Sequence, residues 1–421
     1  MSRLSWVLSR IRRTLWVRVS LYAALGVFAA LIASLSGQLL PGSAPLDIST
    51  DAIESLLTII ASSMLAVTTF SVGALTTAYA GATTNATPRA TPLLTEDEVV
   101  QQTLSTFVGS FLFSIVGLIA LKVSFYGSYG RAVLFIGTLL VILMIVIALL
   151  RWINRLTKLG RVADTNARIE NATDEAMKAR IAAPFLGGGV LLPSESGAPL
   201  TSVCVGYVQF INIKALSEIS KKLDVDIDVH VLPGNFVFHG SLLVRIVQDA
   251  AAITDETARC IREVFTIAPL RTFDEDPRFG LVVLSEVALR ALSPAVNDPG
   301  TAIDVISRQT RLLSFWGDAW QRAKTTAPEY PRIRVAALQY DDMFEDAFNL
   351  VGRDAAGQID VLLRLVKSLQ ALTTIGPSAS RTAAQHQLDV ILARAADKLQ
   401  SPDDHRRLQA AMGLPGTGGA A

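Results

Sequence analysis

Residues 54–89 read ESLLTIIASSMLAVTTFSVGALTTAYAGATTNATPR, and no charged residue lies between the two ends of this stretch. A helix over residues 52–80 would be about 43 Å long at about 1.5 Å per residue, whereas the hydrocarbon core of a bilayer is roughly 30 Å thick. We therefore expect a membrane-spanning helix that tilts or projects into water.

Small and hydroxyl residues form a stripe along this helix, and bulky apolar residues flank it. Two interpretations are open: such residues allow close helix packing in lipid, and hydroxyls from several subunits can also line a wet pathway. In the second case Thr69 and Thr76 would line the narrowest part, with Met64 or Phe70 as a hydrophobic constriction. At helical spacing the stripe contains Ser55, Thr58, Ser62, Thr69, Gly73, Thr76 and Thr83.

The composition places part of the chain in a bilayer. Hydrophobic residues make up 51% and charged residues 18% of the 421 residues, and the mean hydropathy is +0.41. A formal net charge of +1 gives no reason to expect a nucleic-acid partner. Cys204 and Cys260 are the two cysteines, so a disulfide framework is excluded, and neither has the spacing of a zinc site.

Four apolar runs predict four membrane spans. A basic segment, 1–18, precedes the first run, with Trp6 and Trp16 as candidate interfacial anchors. The third run has a small face of Thr106, Ser110 and Ser114, and the fourth is uniformly bulky, which favours a lipid-facing position. Because Lys and Arg cluster before the first run and after the fourth, both termini are expected in the cytoplasm. The predicted spans are 19–40, 52–80, 101–121 and 132–150.

The remainder reads as a cytoplasmic α+β domain. The predicted fold is thus a membrane α-helical unit followed by a small β-rich subdomain and a helical subdomain. The expected boundaries are a connecting helix at 151–185, the β-rich part at 200–250, the mainly helical part at 251–400 and a largely flexible tail at 401–421.

One predicted strand, DVDIDVHV, alternates apolar and polar residues. Asp224, Asp226, Asp228 and His230 share one face. This face would be a solvated surface that protects the sheet from edge pairing, or a site for a hard cation such as calcium or magnesium. Successive residues on one face diverge and no glycine-bent loop gathers them, which favours the solvated face.

A second motif begins at Phe279 with FGLVVLSEVALRALSPAVNDPGTAIDVISRQTRLL. It predicts a helix through Leu292, a break at Ser293 and Pro294, and a new helix with Asp298 as its N-cap and Pro299 at its first position. The turn at Asn297, Asp298 and Pro299 would be a capped helix junction or a ligand or intersubunit contact. Arg290, Asp304 and Arg308 would then meet in an ion-paired hairpin or a basic pocket.

The chain resembles a family of bacterial predicted membrane proteins grouped as a domain of unknown function. The resemblance rests on SLLTIIASSM, TPRATPLL, TFVGSFLF, GYVQFINIKAL, LPGNFVFHGSLL and ALRALSPAVNDPGTA. It implies four spans, a cytoplasmic domain and the bacterial inner membrane, with no activity to carry over. The chain departs from the family after Arg89, where acidic TEDE follows instead of basic residues.

The sequence favours a channel-like protein over an enzyme. It has no Walker loop, GxGxxG, GxSxG or HExxH motif, so we expect no catalytic residues, cofactor or metal. We expect no buried ionisable residue in any span, which weakens the case for a proton-coupled transporter. We expect a homo-oligomeric channel-like or transport protein in the lipid bilayer, with ions or a small ligand as its cargo. The alternative is a membrane-anchored sensor or scaffold whose cytoplasmic domain binds a ligand or protein.

Overall fold

The computed structural model describes residues 15–39, 49–123, 128–192, 197–247, 254–323 and 327–413. Of these, one compact unit holds residues 15–84 and 88–164, and a second holds residues 85–87 and 165–413. We call them the membrane unit and the C-terminal unit. Most of the expected basic segment, including Trp6, and the last eight residues lie outside the described ranges.

All regular secondary structure in the described part of the membrane unit is helical. A short 3-10 turn, Pro88–Ala90, precedes α3. The helices are α1 Leu15–Leu39, α2 Thr50–Asn85, α3 Thr91–Thr95, α4 Glu98–Lys122, α5 Ser128–Leu156 and the beginning of α6 Val162–Ala182.

Three helices among the described residues are long and apolar enough to cross a membrane, namely Thr50–Asn85, Glu98–Lys122 and Tyr129–Leu156. The first predicted span, 19–40, falls in α1, whose described apolar segment Val17–Ala29 is shorter than a span. The structure therefore confirms a mostly helical membrane protein but not the count of four spans. The predicted connecting helix at 151–185 is two helices, because α5 continues to Leu156 and a turn with Gly160 at φ +78° precedes α6.

Close helix packing in this unit uses the small face of α4. Ser110 and Ser114 are buried, and a Cβ on Gly109 would lie 3.0 Å from the backbone oxygen of Tyr22 in α1. A Cβ on Gly26 would in turn lie 2.5 Å from the oxygen of Gly109, so neither glycine has room for a side chain. The small face predicted for the third span is thus buried, and Gly109 of the same helix packs against α1.

The C-terminal unit contains two sheets and a group of helices. The larger sheet has the order β1-β8-β4-β6-β2, and the smaller has the order β5-β3-β7. The strands are β1 Gly188–Val190, β2 Ala198–Thr201, β3 Gly206–Ile211, β4 Asp226–Val229, β5 Phe236–Val237, β6 Leu242–Val247, β7 Phe265–Ala268 and β8 Tyr330–Val335.

The helices of this unit follow and interleave with the strands. A π-helical turn, Glu345–Asn349, joins α11 to α12. The helices after α6 are α7 Ile213–Leu223, α8 Asp255–Glu263, α9 Pro277–Leu292, α10 Pro299–Ala323, α11 Tyr340–Phe344, α12 Leu350–Ala355, α13 Ile359–Leu372, α14 Ser378–Lys398 and α15 Pro402–Ala411.

Two expectations about this unit are corrected. The sheets draw strands from Gly188 to Val335, so the β-rich part extends well beyond 200–250 and takes β7 and β8 from the segment expected to be mainly helical. Residues 402–411, expected in a flexible tail, form α15, in which Leu408 is buried.

Candidate functional sites

The hydroxyl stripe lies on the face of α2 that the other described residues leave largely uncovered. Ser55, Thr58, Ser62, Thr69, Gly73 and Thr76 are all exposed, and Thr83 is half-buried with its hydroxyl 3.3 Å from that of Thr91. The opposite face of α2 supplies the core contacts through Ile53, Leu57, Ile60, Met64 and Leu75.

The stripe hydroxyls bond their own helix. Thr58, Ser62, Thr69 and Thr76 each donate to the carbonyl four residues earlier, at 2.8 to 3.0 Å. A serine or threonine satisfied in this way can face an apolar environment without a second partner, and its oxygen can still accept a hydrogen bond.

The two candidate constriction residues lie on different faces of α2. Phe70 is 68% exposed and lies beside the stripe, whereas Met64 is 4% exposed and packs in the core near Leu104 and Phe107. The interpretation of Met64 as a constriction is wrong, because its side chain is on the inward face of α2. Phe70 remains a candidate.

The Asn297 turn contains the predicted helix junction. Asp298 accepts from the backbone N–H of Thr301 at 3.0 Å and from the Thr301 hydroxyl at 2.6 Å, and these bonds lower the pKa of its carboxyl. Asn297 adopts a left-handed conformation at φ +48°, which asparagine tolerates better than most residues. Pro294 to Gly300 are all exposed. The capped junction is present, and a ligand or intersubunit contact at this turn stays a prediction.

The predicted cluster of Arg290, Asp304 and Arg308 forms only in part. Arg308 donates to Asp304 at 2.8 Å and to Glu170 of α6 at 2.5 Å, and Arg311 joins Glu170 at 2.7 Å. Burial alone would lower the pKa of Arg308, but the bonds and charges of Asp304 and Glu170 raise it. Arg290 forms no ion pair with any described residue. The result is an ion-paired helix junction rather than a basic pocket.

The acidic strand face is buried at its centre, at Asp228. β4 lies between β8 and β6, so Asp228 is buried and opposes Arg334 on one side and Arg245 on the other. Arg334 Nε donates to Asp228 Oδ1 at 2.5 Å. Asp224 sits apart, in a left-handed C-cap of α7. The expectation of an exposed, edge-protecting face is wrong, because β4 is an interior strand of the sheet.

Two ion-pair clusters were missed from the sequence. In the membrane unit, Arg155 joins Asp97 at 2.5 Å and Asp164 at 2.8 Å. Asp97 is also the N-cap of α4, accepting from Val99 and Val100, so the acidic TEDE stretch supplies both a cap and an ion-pair partner. In the sequence, Arg155 belongs to the basic group after the fourth run and indicates only the topology.

The second cluster surrounds the start of α9. Arg278 donates to Asp342 at 2.5 Å and to Asp346 at 2.6 Å, and Arg271 pairs with Asp276 at 2.8 Å. Asp276 also caps α9 through the N–H groups of Arg278 and Phe279. Asp276-Pro277 is the same N-cap pattern as Asp298-Pro299, an aspartate followed by a proline at the first helical position. The pattern that predicts the start of α10 therefore also predicts the start of α9.

A buried arginine and a buried carboxyl adjoin this cluster. Arg180 Nη2 donates to the backbone oxygen of Glu275 at 3.1 Å, and burial lowers the pKa of Arg180. Oxygen Oε2 of Glu275 is buried with no hydrogen bond among the described residues. Burial raises the pKa of Glu275 to about 7, although the charge of Arg180 opposes this shift. Glu275 is therefore poised to change its charge near neutral pH.

Comparison with known proteins gives a family but no activity. Two uncharacterized proteins, one of Mycobacterium bovis and one of Mycobacterium tuberculosis, are each 36% identical over 118 residues, which is 27% of this chain and 22% of each relative. The chain thus spans about a fifth of the length of these curated relatives. No solved structure matches it. A family described as predicted membrane protein (DUF2254) matches residues 12–371, and the chain belongs to that family.

Proposed function

We propose that this protein is a homo-oligomeric, channel-like membrane protein in which the stripe of α2 faces a shared pathway for ions or small solutes. The proposal includes four spans, both termini in the cytoplasm, and the inner membrane of a bacterium. The C-terminal unit would hold the subunits together or regulate them. The observation that carries the proposal is the exposure of the stripe from Ser55 to Thr76.

The contrast with α4 supports this assignment. Both helices carry a small face, but the face of α4 is buried, whereas the stripe of α2 from Ser55 to Thr76 is left exposed by the described residues. Small residues and hydroxyls are enriched where helices meet or where water enters, rather than on a surface of lipid tails. The partner of the stripe is then another subunit or an aqueous lumen.

Apolar side chains flank the stripe on both sides. Ile59 and Phe70 are 60% and 68% exposed on one side, and Leu65 and Val72 are 55% and 49% exposed on the other. Two apolar ridges beside a hydroxyl stripe fit a helix that contacts neighbouring subunits with its flanks and turns the stripe toward an axis.

A matched pair of substitutions tests the pathway. Thr76 and Thr77 are both exposed and both donate to the carbonyl four residues earlier, but they lie about 100° apart around the helix. We expect Thr76→Leu, like Thr69→Leu, to reduce ion flux into proteoliposomes at least about tenfold by removing a hydroxyl and narrowing the path. Thr77→Leu should leave flux within about twofold of the unsubstituted protein.

Single-particle imaging in nanodiscs measures the number of subunits and shows which way the stripe of α2 faces. Three or more subunits with Ser62, Thr69 and Thr76 toward the axis would support the proposal. A monomer, or a dimer with the stripe sealed between two helices, would overturn it, as would equal flux through the Thr76→Leu and Thr77→Leu proteins.

A membrane-anchored sensor or scaffold is the second candidate. It is favoured by an open groove between α10 and α13 in the C-terminal unit. Ligand binding to the C-terminal unit without any flux would support this candidate over the channel.

A further inference from the structure

The groove between α10 and α13 has a volume of about 490 Å³, which is within the range of small-molecule sites. The helix that supplies most of the lining is firmly anchored, since Val361, Leu365 and Leu369 on the inner face of α13 are fully buried. A site on two packed helices holds its side chains in place better than one on a loop.

Two cations line this groove without a partner. Arg364 and Lys367, one helical turn apart on α13, form no ion pair or hydrogen bond with any described residue. The carboxylate that lines the groove, Asp360, is bonded at 2.8 Å to Arg407. The groove therefore carries an uncompensated positive charge, whereas Arg278 and Arg308 of the same unit are each paired with two carboxylates.

A hydroxyl donor lies beside these cations. On α10, Ser307, Thr310 and Ser314 each donate to the carbonyl four residues earlier. Ser368, one residue beyond Lys367, is 8% exposed, lines the groove and makes no such bond to a described residue. Its hydroxyl hydrogen is thus available to a ligand in the groove.

We propose that this groove binds a phosphate monoester, with Arg364 and Lys367 holding the phosphate and Ser368 donating to one of its oxygens. Guanidinium, ammonium and hydroxyl groups are the side chains that recognise phosphate oxygens, and the charged bonds are the strong ones. The volume exceeds that of a bare phosphate, and apolar Ile303, Leu363 and Ala371 complete the lining. The organic part of the ligand lies against these residues.

The experiment uses the full chain. Binding of adenosine monophosphate, as a soluble phosphate monoester, is measured by calorimetry in detergent, and binding to phosphatidic acid is measured by incorporation into nanodiscs with and without this lipid. The test variant is Arg364→Gln/Lys367→Gln. The control variant, Arg381→Gln/Lys398→Gln, removes the same two charges from exposed positions of α14.

We expect the test variant to weaken binding at least about tenfold, which corresponds to about 1.4 kcal/mol, and the control to change it less than about twofold. Ser368→Ala should weaken binding by a smaller factor with no change in assembly. Binding of adenosine monophosphate alone identifies a soluble ligand, and a preference for phosphatidic acid that the test variant abolishes identifies a lipid headgroup. Absence of binding to either probe at about millimolar concentration, or equal loss in test and control variants, would overturn the proposal.

Discussion

Glu275 should make the stability of the C-terminal unit depend on pH. Its buried carboxyl has a pKa of about 7 against an ordinary value of 4.5, and Arg180 and Asp274 are the charged neighbours. Below pH 4.5 the carboxyl is protonated in both the folded and the unfolded chain. Between pH 4.5 and 7 the folded chain keeps a proton that the unfolded chain has released, so the free energy of unfolding falls as pH rises.

The size of the effect follows from the two pKa values. Each unit of pKa difference corresponds to about 1.4 kcal/mol. The raised pKa of Glu275 therefore adds about 3 kcal/mol to the free energy of unfolding at low pH, and this contribution is lost in full above pH 7. Glu275→Gln keeps the shape of the side chain and stays neutral at every pH. The variant should match the unsubstituted protein near pH 4 and exceed its free energy of unfolding by about 3 kcal/mol near pH 8.

The assay is the urea midpoint of the C-terminal unit, measured by pulse proteolysis of the full chain in detergent. Glu218→Gln, at an exposed position of α7, is the control and should show no such difference. Parallel loss of stability in the Glu275→Gln and unsubstituted proteins between pH 5 and pH 8 would refute the reasoning.

Three further substitutions test the packing and the capped junction. Asp228→Ala should lower the free energy of unfolding by about 2 kcal/mol or more, because it leaves Arg334 unpaired beside an interior strand, and an unchanged urea midpoint would contradict the buried pair. Asp298→Ala should lower the free energy of unfolding by about 1 kcal/mol through loss of the N-cap, whereas Asp298→Asn should change it little. If Asp298→Asn keeps full stability but loses ion flux, the turn makes a ligand contact instead. A Cβ at Gly280 would overlap the Thr173 hydroxyl, so Gly280→Ala should lower the free energy of unfolding by about 1 to 3 kcal/mol. If this overlap is the cause, adding Thr173→Ala should restore part of the lost thermal stability.

The sequence alone determined the local structure. An uncharged run longer than a bilayer is thick predicts a membrane helix because unpaired backbone groups and charges are costly in lipid. Asp298-Pro299 predicts a helix start because proline needs no N–H donor at that position and aspartate accepts from the free ones. Both patterns act over a few residues, so they are readable without any fold, and α2 and the start of α10 followed from them. The alternation in DVDIDVHV predicted β4 in the same local way.

Only the tertiary structure decided which surfaces are covered. The polar face of β4 looked solvated until β8, about a hundred residues later, was seen to lie beside it and pair Arg334 with Asp228. The small faces of α2 and α4 look alike in sequence, but one is exposed and the other is buried. The pairing of Arg155 with Asp97 and that of Arg308 with Glu170 are equally invisible in the sequence. Burial and ion pairing depend on which distant segments meet, and a local pattern carries no record of that choice.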